Sequence, residues 1–106
     1  MPIVNMMKDD KGVLTSWHVV NSIITNFDGN VHTEVCSYVS SQYYLEEKQA
    51  LENGENLDRV VHRQVFTIKD NVAPTIENIE RALLQLDEFK KGTRRVKQGD
   101  EYIQVE

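Results

Sequence analysis

Between Val13 and Ser40 the chain carries two runs of β-branched and aromatic residues separated by a turn signal. The first is Val13-Leu-Thr-Ser-Trp17-His-Val-Val20-Asn-Ser-Ile23-Ile24-Thr25, and the second is Val31-His-Thr-Glu-Val35-Cys-Ser-Tyr38-Val39. Such residues suit a pleated, half-buried surface. Asp28-Gly29 between them predicts a two-residue turn, because that turn needs positive φ at both central positions. The expected register pairs Phe27 with Asn30. One face then carries His18, Val20, Ser22 and Ile24 opposite Thr33, Val35, Ser37 and Val39. The other carries Trp17, Val19, Asn21 and Ile23 opposite His32, Glu34, Cys36 and Tyr38. Neither face is fully polar, whereas a hairpin with one wet side alternates sharply. Two explanations stand side by side: both faces are covered, one of them by another chain, or a bulge shifts the register midway.

The flanking segments build on this hairpin. Residues 1–8 carry Ile3, Val4, Met6 and Met7, which suit an edge strand or a contact with a neighbour; Asp9-Asp-Lys-Gly12 is turn-like. In Ser40 to Glu52, Ser41 is a possible helix cap, and Tyr44, Leu45, Lys48 and Leu51 fall near one helical face. Gly54 is the expected left-handed stop; an extended loop is the rival reading for this stretch. Leu57 to Ile68 reads as a third strand, with Phe66 and Ile68 alternating with Val65 and Thr67. Thr75 to Lys91 predicts a helix. Thr75 caps it, Glu77 and Glu80 sit at its positive end, and Lys90 and Lys91 sit at its negative end before Gly92. Ile76, Ile79, Leu83 and Leu86 recur at three-then-four spacing, with Ala82 and Phe89 widening the stripe. The stripe packs on the sheet or also forms a seam with copies of itself. In the remainder, Gln98-Gly99-Asp100 is a turn, and Tyr102-Ile-Gln-Val105 suits a last strand or an arm on a neighbouring subunit.

The expected fold is a single α+β domain over 1–106. Its antiparallel sheet is built on a long hairpin (about 13–25 and 31–40), with a third strand (about 58–68) and one C-terminal helix (about 75–91). Residues 43–57 are a candidate projecting arm and 93–106 a candidate docking tail.

At 106 residues and 40% hydrophobic content the core is thin for a long hairpin and a helix, which points to burial against a partner. The net charge of -5 gives no basic face for nucleic acid. No run approaches a membrane span, and the first ten residues do not read as a signal peptide. Cys36 is the single cysteine, so no intrachain disulfide forms.

Candidate chemistry is sparse. His32, Glu34 and Cys36 alternate on one strand face, but side chains at i and i+4 on a strand stand about 13 Å apart, too far to share one ion. The expectation is no metal and no cofactor. His18 and His62 have no partner evident in the sequence. Ser40-Ser41 lack a nucleophile elbow, and no phosphate-binding glycine loop is present. Cys36 lies in strand interior, where a thiol is inert. The Glu46-Glu47, Glu52 and Glu55 carboxylates read as a solvated surface. The chain therefore reads as a non-enzyme; a deep pocket holding His18, His62 or Cys36 with a charged partner would revive an enzymatic reading.

The runs Trp17-His18-Val19-Val20, Phe27-Asp28-Gly29-Asn30 and Val35-Cys36-Ser37-Tyr38-Val39-Ser40 are similar to those of small virion proteins of tailed bacteriophages. In those proteins a strand leads through a short turn to a strand ending in a Ser-Tyr-like pair, followed by a polar arm, a further strand and a short helix. Gly54 to Ile68 and Ile76 to Phe89 match that order, although the arm here is richer in Glu. The resemblance implies a structural, homo-oligomeric virion subunit of the tail, baseplate or fibre-attachment region, made in the host cytoplasm and contacting other virion proteins. It carries no catalytic residues, and no nucleic acid, membrane or small-molecule partner is expected. The alternative is a small acidic phage-encoded inhibitor of a host protein. The expected interface residues are Tyr43, Tyr44, Leu45, Leu51, Leu57, Ile76, Ile79, Leu83 and Leu86.

Overall fold

A computed structural model describes residues 2–8, 11–27, 29–69, 73–89, 91–98 and 101–105. The turns expected at 9–10 and 99–100, Asp28 of the hairpin turn, Asp70-Asn71-Val72 before the second helix and the helix-end Lys90 lie outside the described residues.

The architecture is α+β. Strands β1 (Pro2–Lys8), β2 (Leu14–Thr25), β3 (Val31–Tyr38), β4 (His62–Ile68), β5 (Thr93–Gln98) and β6 (Glu101–Val105) form one six-stranded sheet. Its order is β4-β3-β2-β1-β5-β6, and every neighbouring pair is antiparallel. Helix α1 (Ser41–Glu52) joins β3 to β4, and α2 (Ile76–Leu83) joins β4 to β5.

The helices cover opposite faces. Val35 packs in a cluster with Ile79 and Leu83 of α2, together with Ile3, Val31, Phe66, Ile68 and Phe89. Its chain neighbour Cys36 points the other way, into Trp17, Tyr38, Val4, Val19, Tyr102 and Tyr44 of α1. This accounts for the two mixed faces of the hairpin: each is covered in part by this chain's own helix. A bulge contributes as well. Val20 pairs with Val35 but Ser22 with Glu34, so Asn21 is the extra residue. Beyond it Ile23 turns toward the α2 core and Ile24 toward the opposite face, the reverse of the expected assignment.

The hairpin turn is also wider than expected. The last pair is Thr25 with Val31, and the loop is closed by Asn26 N–H to Asn30 O (3.0 Å) and Gly29 N–H to Asn26 O (3.1 Å). Gly29 takes φ +86°, the positive-φ residue that closes longer hairpin loops.

Four further corrections concern boundaries. Residues 57–61 precede the strand, which starts at His62; there Asp58 Oδ1 accepts from Val60 N–H (3.0 Å) and holds a local turn instead. The segment 41–52 is helical and docks on the sheet, so a second helix joins the expected one and no extended arm projects there. Residues 93–98 and 101–105 pair within this chain, as β5 on β1 and β6 on β5, and not as a docking tail. The C-terminal helix stops at Leu83, eight residues early. Successive turns then close with Leu86 N–H to Leu83 O and Phe89 N–H to Leu86 O, both 3.0 Å. The physical reason is reach: Phe89 must return over the sheet to meet Phe66 (ring centroids 5.2 Å), and a straight helix would carry it about 1.5 Å further along its axis with each residue.

Candidate interaction surface

β2 outruns its neighbour. Its pairing with β1 begins at Pro2–Val19, so among the described residues Val20 to Thr25 have a strand partner on one side only. The distal half of the hairpin therefore projects past the body of the sheet, and α1 covers only the proximal half, where Tyr44 meets Tyr38 (5.2 Å) and Trp17 (6.3 Å).

The uncovered part carries exposed apolar side chains among polar ones. Phe27 stands fully exposed in the loop, Ile24 is 59% exposed beside His32, and Val65 on β4 is 61% exposed beside Glu34. Next to this surface a cleft of about 350 Å³ opens between α1 and the bulge. Lys48 and Leu51 of α1, Ile76 of α2, and Val19, Asn21 and Cys36 of the hairpin line it. Asn21 Nδ2 donates to Glu34 Oε1 at 2.8 Å, which holds the bulged residue in place. The lone thiol at this surface is quiet: burial pushes Cys36 above its ordinary range, and the Glu34 carboxylate adds to the shift.

The expected interface residues divide. Ile79 and Leu83 are wholly buried in this chain's own core and offer nothing to a second copy. Leu86 is partly buried against the same core. Tyr44 and Leu57 are half-buried, Tyr44 within the aromatic cluster. Tyr43, Leu45, Leu51 and Ile76 are exposed, and Leu51 and Ile76 both line the cleft. The seam is therefore a core stripe with one exposed end. Phe27, Ile24 and Val65 were missed. Their signal was present, because a phenylalanine directly before a turn dipeptide has no core to enter.

His32 stands apart from Glu34 and Cys36: its Nδ1 bonds Thr67 Oγ1 (3.0 Å), while Glu34 Oε1 accepts from Asn21 and from the Cys36 thiol (3.8 Å). Among the described residues no group of three metal-ligating side chains forms. No helix among them is long and apolar enough to cross a membrane. Two polar constellations lie in the interior. Arg94 of β5 donates through Nε to Glu80 Oε1 of α2 (3.1 Å), both fully buried. His18 bonds Ser37 and the Asn5 carbonyl, each at 2.7 Å.

Among known proteins the chain matches no family model, no curated protein and no solved structure.

Proposed function

We propose that this chain is a structural subunit of a bacteriophage virion, in the tail, baseplate or fibre-attachment region, acting through contacts with its own copies and with other virion proteins. The observation that supports this reading best is the projecting hairpin with Phe27 and Ile24 uncovered. A small domain with a thin core gains nothing for its own stability from two large apolar side chains in water, and such patches mark contact surfaces. The role is one of shape: the hairpin is the arm, the six-stranded sheet the body, and the cleft beside α1 a second contact point. The resemblance of the hairpin sequence to small tail-region proteins supplies the setting.

The test is the absolute mass in solution by light scattering over a concentration series, for the wild-type chain and for the double variant Ile24→Asp, Phe27→Asp. The expected wild-type result is a discrete oligomer. The variant should shift to the 12.3 kDa monomer with its circular dichroism and melting temperature unchanged. A wild-type chain that stays monomeric at every concentration removes the homo-oligomeric reading. An oligomer untouched by the variant removes the hairpin from the interface.

A further inference from the structure

A second site lies on the opposite face of the sheet and does not depend on the assembly reading. Three neighbouring strands bring Asn5, His18 and Ser37 into one line. A bulge in β1 makes this possible: Val4 pairs with Trp17 but Met7 with Thr15, so two residues, Asn5 and Met6, stand against one. The Asn5 carbonyl thereby reaches His18 Nε2 at 2.7 Å. On the other side, His18 Nδ1 lies 2.7 Å from Ser37 Oγ. A carbonyl oxygen only accepts, so Nε2 carries the proton. In the neutral ring Nδ1 is then the lone-pair nitrogen, and Ser37 Oγ–H donates to it. Burial holds His18 below its ordinary range, with the bond to the Asn5 carbonyl opposing the effect and His62 adding to it, so the ring is neutral at neutral pH and Nδ1 presents its lone pair to Ser37.

Ser37 is no ordinary core serine. It lines a cavity of about 400 Å³ whose walls include the apolar side chains of Met7, Phe66 and Phe89. His62, directly across from Ser37 on β4, lines the same cavity, as do Lys8, Gln64 and Glu88. A pocket holding a histidine beside charged partners is the feature that separates an enzymatic reading from a purely structural one. Phe89 also stacks edge-on against His18 (5.4 Å), which fixes the plane of the imidazole.

We propose that Ser37 is an acyl-accepting nucleophile, with His18 Nδ1 as its general base and the Asn5 carbonyl as the group that fixes the ring's tautomer. The substrate class is small carboxylic esters with an apolar acyl group, seated on Phe66 and Phe89. As Ser37 Oγ bonds to the ester carbon, its proton passes to His18 Nδ1 and the carbonyl π pair moves onto oxygen. The imidazolium keeps its Nε2–H on the Asn5 carbonyl, whose dipole favours that charge. The Gln64 amide, the His62 ring and the Lys8 ammonium are the donors on the cavity wall available to the oxyanion. Collapse re-forms the carbonyl, breaks the bond to the alkoxy group and returns the Nδ1 proton to the leaving alcohol. Water then repeats the sequence on the acyl-serine: it loses a proton to Nδ1, Ser37 Oγ leaves with that proton, and the carboxylic acid is released.

The test uses p-nitrophenyl acetate with the full chain at neutral pH, following nitrophenol release and locating the acetyl group by tandem mass spectrometry. The expected result is a single acetyl adduct on Ser37. His18→Gln keeps a group able both to donate to Asn5 and to accept from Ser37, but removes the base. It should slow acylation by about 100-fold or more while leaving the melting temperature nearly unchanged. Acetyl groups confined to lysines or the amino terminus overturn the proposal. A His18→Gln chain that acylates Ser37 at the wild-type rate overturns the role of the dyad. The oligomer mass bears on neither outcome.

Discussion

At the residue scale, the buried pair of Glu80 and Arg94 ties α2 to β5 and places a titrating carboxyl in the core. Burial raises Glu80 to about 7 against the pull of the Arg94 guanidinium, and among the described residues its Oε2 has no hydrogen-bond partner. A carboxyl raised from 4.5 to about 7 holds its proton more tightly folded than unfolded. The stability it contributes is therefore full at low pH and is lost as pH climbs through that interval. Glu80→Gln keeps an acceptor for Arg94 and removes the titration. The difference in unfolding free energy, wild type minus Glu80→Gln, should fall as pH rises from about 4.5 to about 7 and then level off. A difference that rises over that range, measured by urea titration at each pH, overturns this account. Leu83 gives a plainer test. Wholly buried between α2 and the sheet, it should cost about 2–5 kcal/mol when cut to alanine, by transfer and cavity terms together. Leu83→Asp should unfold the chain instead of merely separating copies, because the seam is internal.

At the element scale, two glycines do different work, one ending α1 and the other following the turns after α2. Gly54 ends α1 with φ +75°, donating to Leu51 O (3.1 Å) while Glu55 N–H reaches back to Ala50 O (2.8 Å). This is a Schellman closure, as expected from the sequence. Gly54→Ala meets open space and should cost about 1 kcal/mol from backbone strain alone. Gly92 is not left-handed; a Cβ there would lie 3.0 Å from both Asn5 Cβ and Ile3 Cγ2. Gly92→Ala should cost about 1–3 kcal/mol by overpacking, and an Ile3→Ala background, which removes Cγ2, should shrink that increment while leaving the Gly54→Ala increment unchanged. Equal behaviour of the two glycines in that background removes the distinction. The contrast also shows what the sequence carried. The hairpin and the glycine stop of α1 are local and were legible, because propensity and turn chemistry act within a few residues. The early end of α2 was not legible, because it depends on Phe89 returning to Phe66, more than twenty residues away. The Asn21 bulge, the Asn5 bulge and the Ser37–His18 pair were not legible for the same reason: register between strands decides them. The interior place of β1 likewise needs β5, ninety residues downstream.

For the whole molecule, the proposed self-association has two candidate surfaces: the hairpin tip and the β4 edge of the sheet. β4 ends the sheet on one side, with seven residues paired to β3 alone among the described strands. An unpaired edge presents backbone donors and acceptors to any other strand, and proteins blunt such edges with charge. Here the middle of the edge carries Val65, largely exposed, with Arg63 and Lys69 only toward its ends. Val65→Lys places a charge on an open face where nothing packs, so the fold should lose no more than about 0.5 kcal/mol. If copies join edge to edge, the same change should abolish the oligomer in light scattering, and wild-type assembly should slow hydrogen exchange along His62 to Ile68. If the tip carries the contact, Val65→Lys should leave the oligomer intact and Ile24→Asp with Phe27→Asp should dissolve it. We expect the second result. Phe27 exposes more apolar surface than any side chain on the edge, and a hairpin that outruns its sheet can reach a neighbour without requiring two flat edges to align.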